Sequence, residues 1–196
     1  MRLINNLKAM TDEFKLMPGD IVVDINDKTD LYSKLVRWAL GGPYTHVWMF
    51  YGALVPSMPP LFYECMPTRG ATFTNVFDYL EQKVVVMRLR PEYQSYMPAV
   101  LNQAFRIATD SKAKYDFACV PDYILSRLIC TKLGIPLPVK YQRDPFMICS
   151  EGVAEAFWRA NLQVLPQDVV PLPGDFVYQL TYFDYVGTGP IAADWF

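Results

Sequence analysis

Histidine is nearly absent from this chain of 196 residues: His46 is the single imidazole, so any proton shuttling by histidine runs through one position, and multi-histidine metal sites are excluded. The four cysteines, Cys65, Cys119, Cys130 and Cys149, include no C-x-x-C pair. Without a second histidine they lack the spacings of a structural zinc site, and no metal is expected. Charge blocks are missing too. Eighteen Lys and Arg stand against twenty Asp and Glu, a formal charge of −2, scattered without a basic patch, so a polyanion finds no footprint and no nucleic acid is expected as a partner. The first residues, MRLINNLKAMTDEF, interleave Lys with acids before an apolar run can form. That pattern predicts no signal peptide, reduced thiols and a cytoplasmic address.

What the chain has in abundance is apolar surface, 52% of residues, and aromatic rings, 15%, enough for one folded domain over residues 1–196. From Trp38 to Tyr63 no Asp, Glu, Lys or Arg occurs, yet Gly41, Gly42, Pro43, Gly52, Pro56, Pro59 and Pro60 break the segment. A membrane-spanning helix is therefore not expected there. The turn signal Met17-Pro18-Gly19-Asp20 precedes a β-branched strand, Ile21 to Ile25. A helix capped by Thr29 or Asp30 follows and stops at Gly41-Gly42-Pro43. Thr45 to Tyr51 and Leu61 to Met66 read as adjacent antiparallel strands, and Val84 to Leu89 as another. Helical spacing marks Pro91 to Asp110, Phe117 to Leu133 and Cys149 to Asn161, and a Pro-Gly-Asp turn at Pro173 to Asp175 predicts a strand over Phe176 to Leu180.

Strand alternation puts His46, Trp48 and Phe50 on one face, and Phe62, Glu64 and Met66 on one face of the next strand with Cys65 opposite. If paired positions sum to about 110, His46 lies across from Glu64. A carboxylate in so apolar a segment is costly to bury unpaired, and the imidazole N–H is the nearest donor. Cys149 opens a helix, where free backbone N–H groups and the helix dipole favour a thiolate. Thiol, imidazole and carboxylate make a generalised triad in which the sulfur attacks, the ring moves the proton and the acid orients the ring. Each piece also has a plainer reading: a hydrogen-bonded core histidine, a cysteine acting as a small hydrophobe, a carboxylate on an edge strand facing water.

The ordered motifs P-G-D-I-V-V at Pro18 to Val23, Y-T-H-V at Tyr44 to Val47, F-Y-E at Phe62 to Glu64, K-Y-D-F at Lys114 to Phe117 and C-S-E at Cys149 to Glu151 narrow the choice. Together, over Pro18 to Asn161, they resemble the circularly permuted NlpC-type, papain-like cysteine hydrolases, most closely the YiiX-like branch. The resemblance implies Cys149 as nucleophile, His46 as base and Glu64 as orienting acid, with Tyr115 at the family's active-site tyrosine. Two departures stand out. The loop from Gly52 to Pro60 is longer and more apolar than the family pattern, and Gly152 replaces a larger residue after C-S-E.

The resulting expectation is an α+β domain, an antiparallel sheet or partly closed barrel packed against helices, hydrolysing an amide, peptide or lipid acyl substrate without a cofactor. Leu54, Val55, Met58, Leu61 and Phe62 are expected to line an apolar substrate mouth with transient lipid or membrane contact. Two rivals are a non-catalytic lipid or acyl-group binding module with a vestigial triad, and an assembly protein using its aromatic residues at an interface.

Overall fold

The computed structural model describes residues 14–28, 31–66, 69–110, 114–115 and 146–196. Its centre is a six-stranded antiparallel sheet in the order β4-β3-β2-β1-β5-β8, open, with β4 and β8 at its edges. The strands are β1 (Ile21–Ile25), β2 (Tyr44–Gly52), β3 (Leu61–Met66), β4 (Gly70–Asn75), β5 (Lys83–Leu89) and β8 (Phe183–Pro190). A separate parallel pair joins β6 (Lys114–Tyr115) to β7 (Phe146–Met147). The helices are α1 (Leu31–Leu40), α2 (Met97–Thr109), α3 (Cys149–Arg159) and α4 (Pro173–Tyr178). Among the described residues no helix is long and apolar enough to cross a membrane.

β1 is central because it can be buried on both faces: Ile21, Val22 and Val23 are fully enclosed. The turn before it is built by Gly19 at φ +93°, which favours glycine, and by Asp20, whose carboxylate accepts the Met17 N–H at 2.8 Å. Arg88 on β5 closes on the same carboxylate with two bonds, Nε at 2.8 Å and a terminal guanidinium nitrogen at 2.7 Å. Alternation then sorts the apolar residues into two cores. Val23, Val47, Met49, Tyr63, Cys65, Val85 and Met87 face α2, α3 and α4. Val22, Trp48, Phe50, Phe62, Val84 and Val86 face Leu16, Ile191 and Trp195, so segments from both ends of the chain cover the second face. The Leu16 N–H donates to the Trp195 carbonyl at 2.8 Å and joins those segments.

Most of the elements expected from the sequence are present, with two differences. Phe176 to Leu180 is no strand, since residues from Pro173 form α4 instead. Pro173 supplies the fixed φ of a first helical turn, and the Asp175 carboxylate accepts the Leu172 N–H at 2.8 Å, so the Pro-Gly-Asp unit starts a helix. The strand begins later, at Phe183. β4, which the apolar pattern does not announce, pairs with β3 from Leu61↔Asn75 to Met66↔Gly70. The helix expected over Phe117 to Leu133, with Cys119 and Cys130, and the caps Thr29 and Asp30 lie outside the described residues.

Candidate active site

His46 comes from the first half of β2 and Glu64 from β3, on the sheet face opposite to Val47, Tyr63 and Cys65. The β2–β3 ladder runs from Met49↔Tyr63 to Gly52↔Leu61, so the paired numbers sum to 112 or 113 instead of 110. Continued along β2, that register puts Trp48 across from Glu64, and His46 is its diagonal neighbour, a position long side chains reach. A shift of two residues keeps the face unchanged. Nε2 of His46 accordingly stands 2.6 Å from Oε2 of Glu64. The His46 side chain is one quarter exposed, and that of Glu64 is almost wholly enclosed.

The other carboxylate oxygen of Glu64 is held as firmly. Thr74 Oγ1 donates to Oε1 at 2.6 Å, and the Tyr79 hydroxyl donates to the same atom. Burial opposes ionisation of Glu64, but the His46 hydrogen bond and charge, with the bonds from Thr74 and Tyr79, hold the carboxyl below its ordinary value. Tyr79 responds in the opposite sense: burial, then its bond to Glu64, pushes the phenol up to about 12. Thr74 and Tyr79 complete the surroundings of this carboxylate, and the sequence motifs miss both. Their signal is faint, since it depends on recognising β4 and knowing that Thr74 shares a face with Glu64.

Cys149 is the first residue of α3, buried, with Ser150 and Glu151 behind it. The helix start is tied down by Glu151, whose Oε2 accepts the Ile148 N–H at 2.7 Å, and by Ser150 Oγ, which donates to the Pro171 carbonyl at 2.6 Å. The ring of His46 is paired with Glu64 and lies within electrostatic reach of Cys149. Burial alone would lower the imidazolium, but its interactions with Cys149, followed by those with Glu64, override it and raise it to about 10. The structure thus pairs His46 directly with Glu64 and sets Cys149, at the start of α3, near the ring. A further carboxylate, Asp24 on β1, accepts the Thr45 hydroxyl at 2.6 Å; burial lifts it above the ordinary Asp value, against that bond and the charge of His46.

Cys65 is the counterpart of Cys149 on the inner face, fully enclosed under α3. Burial, and then the electrostatic coupling to Cys149, Glu151 and Glu64, push its thiol well above the ordinary range. Its sulfur explains Gly152: a Cβ at that position would stand 2.2 Å from Cys65 Sγ. The Tyr63 hydroxyl donates to the Gly152 carbonyl at 3.0 Å beside it. Tyr115 pairs through its backbone with Met147, two residues before Cys149.

The expected apolar mouth is placed differently. Leu54, Val55 and Met58 are exposed on the β2–β3 connection, which begins beyond Gly52, six residues along β2 from His46 and so roughly 20 Å away at about 3.3 Å per residue. Phe62 is enclosed between Trp48, Phe50 and Tyr79. It is a core residue and lines no opening. Alternation and hairpin length explain the correction: the loop links the two strands at the end away from the His46–Glu64 pair. No family model and no curated protein matches the chain. Among solved structures the fold is similar to that described as metalloprotein yiiX from Escherichia coli O157:H7, DUF1105, with 15% identity over 91% of this chain and 98% of that one and a TM-score of 0.46.

Proposed function

We propose that the chain is a cysteine-dependent acyl hydrolase. The observation that carries the reading is the buried Glu64 carboxylate, 2.6 Å from the single imidazole, with the cysteine opening α3 close enough to act on that ring. With Nε2 committed to Glu64, Nδ1 is the ring nitrogen left for the sulfur. The thiolate of Cys149 attacks a carbonyl carbon and forms an S–C bond. The tetrahedral oxyanion is stabilised by the backbone N–H of Cys149. Collapse breaks the bond to the leaving group, which takes the proton from His46. Water then attacks the thioacyl carbon with its proton passing to His46, and expulsion of the sulfur regenerates the pair.

The similar bacterial structure is described as a metalloprotein. Among the described residues of this chain no group of three His, Cys, Asp or Glu side chains could hold a metal ion, and no step is routed through one. Substrates in this reading are amides, peptides or acyl esters.

Alkylation separates Cys149 from Cys65 in one sample. Iodoacetamide labelling followed by peptide mass from pH 5 to 9 is expected to modify Cys149 faster than Cys65 at pH 6, and His46→Ala to shrink that advantage. Equal labelling of the two cysteines at pH 6, or an undiminished advantage without His46, overturns the reading in favour of a binding module.

A further inference from the structure

We infer that the cavity between residues 165–171 and α4 receives the acyl chain of the substrate and selects uncharged aliphatic groups; this rests on the acyl-hydrolase reading above. The cavity has a volume of about 330 Å³, within the span of small-molecule sites. Leu165, Val169, Val170 and Pro171 give it aliphatic walls, and the Tyr178 ring stands at its edge. Its polar lining residues are Asp175 and Gln179. Among the described residues that line it there is no lysine, arginine or histidine, so a carboxylate or phosphate meets Asp175 without a counter-charge from them.

Two links join this cavity to the reacting groups. Pro171 accepts the Ser150 hydroxyl at 2.6 Å, which puts its carbonyl oxygen within roughly 9 Å of the Cys149 Cα, given about 3.8 Å between adjacent Cα atoms. On the other side Tyr178 packs edge-on against Tyr44, centroids 6.0 Å apart, and Tyr44 lies two residues before His46 on β2. The wall is also fixed from behind, because Trp158 Nε1 of α3 donates to the Leu165 carbonyl at 2.9 Å. A preformed pocket with aliphatic walls, joined to both the cysteine helix and the histidine strand, is placed for the part of the substrate that stays on the sulfur. Leu54, Val55 and Met58, at the far end of β2, are not.

The first turnover with p-nitrophenyl esters reads this directly: the sulfur forms the thioester and p-nitrophenolate leaves, each rate being normalised to that of a small free thiol. Octanoate is expected to acylate Cys149 at least about tenfold faster than acetate, and the ester of octanedioic acid, with its terminal carboxylate, to lose that advantage. Val169 is at the surface, so Val169→Trp fills the cavity without disturbing the core; it should abolish the preference and spare the acetate rate. Leu54→Ser/Met58→Ser should keep the preference. Equal normalised rates for octanoate and acetate in the wild type, or a preference that survives Val169→Trp or vanishes in the loop variant, overturn the inference. Failure of every ester to acylate Cys149 overturns instead the hydrolase reading on which it rests.

Discussion

Glu64 keeps its charge inside the protein because both oxygens of its carboxylate meet donors. His46 takes Oε2, and Thr74 and Tyr79 take Oε1. Glu64→Gln preserves the volume but cannot stabilise an imidazolium. Hydrolysis is expected to fall about thirtyfold in kcat/KM, about 2 kcal/mol, while folding loses about 1 kcal/mol. Steady-state kinetics beside urea unfolding of the same variant separates the two, and equal turnover removes Glu64 from the mechanism. The pH dependence of stability follows from the same contacts. His46, raised to about 10 from 6.5, binds its proton more tightly when folded. Its contribution is complete below 6.5 and is lost as pH climbs through about 10. Glu64, lowered from 4.5, contributes above that value and loses its share as pH falls through the depressed one. The stability difference between wild type and His46→Gln should therefore be largest near pH 5.5 and shrink by pH 10, as measured by urea unfolding; a difference constant over that span would deny the charged pair. His46 and Glu64 were legible in the sequence because a charge-poor segment makes a single acid conspicuous. Thr74 and Tyr79 were not, because a hydroxyl draws attention only once its neighbour is known.

At the scale of elements, parity proved more readable than register. Alternation assigns faces from the sequence alone, whereas the offset between β2 and β3 depends on the Gly52 irregularity at the hairpin end, where the paired sum changes from 112 to 113. The Pro-Gly-Asp unit shows the converse: the same three residue types suit a turn before a strand and the first turn of a helix, and the packing of the next few residues decides between them. The seating of α3 on β3 depends on a missing methyl. Gly152→Ala sets a Cβ against Cys65 Sγ, and overpacking of this kind costs about 1–3 kcal/mol. Because Cys149 lies one turn earlier on α3, acylation should slow along with the loss of stability. Cys65→Ala makes room, so the double variant should recover most of both. A double-mutant cycle on urea midpoints measures the coupling, and purely additive losses would show that α3 is not seated through this contact.

The molecule as a whole divides its sheet between two coverings. Helices α2, α3 and α4 enclose one face, and short segments from residues 14–16 and 191–196 enclose the other, the face of Trp48 and Phe62 that also carries His46 and Glu64. Nothing in the periodicity of those short segments marks them as core, since a few aromatic residues with neither helical nor strand spacing read as loop. Trp195 is the test of that covering. It is almost fully buried, meets the Phe14 ring edge-on at 5.0 Å, and its carbonyl accepts the Leu16 N–H. Trp195→Ala should cost about 3–5 kcal/mol, since the cavity is wide and its walls are held by the sheet. For a chain of this length that lowers Tm by roughly 6–20 °C. Below the transition Cys149 should still acylate at close to the wild-type rate, because Trp195 meets Phe14 and Leu16, whereas His46 and Glu64, on the same face, are held by each other and by Thr74 and Tyr79. Calorimetry and first-turnover acylation on one preparation decide it: a small Tm change shows that the end segments do not stabilise the fold, whereas lost acylation in the folded variant shows that this covering also positions His46 and Glu64.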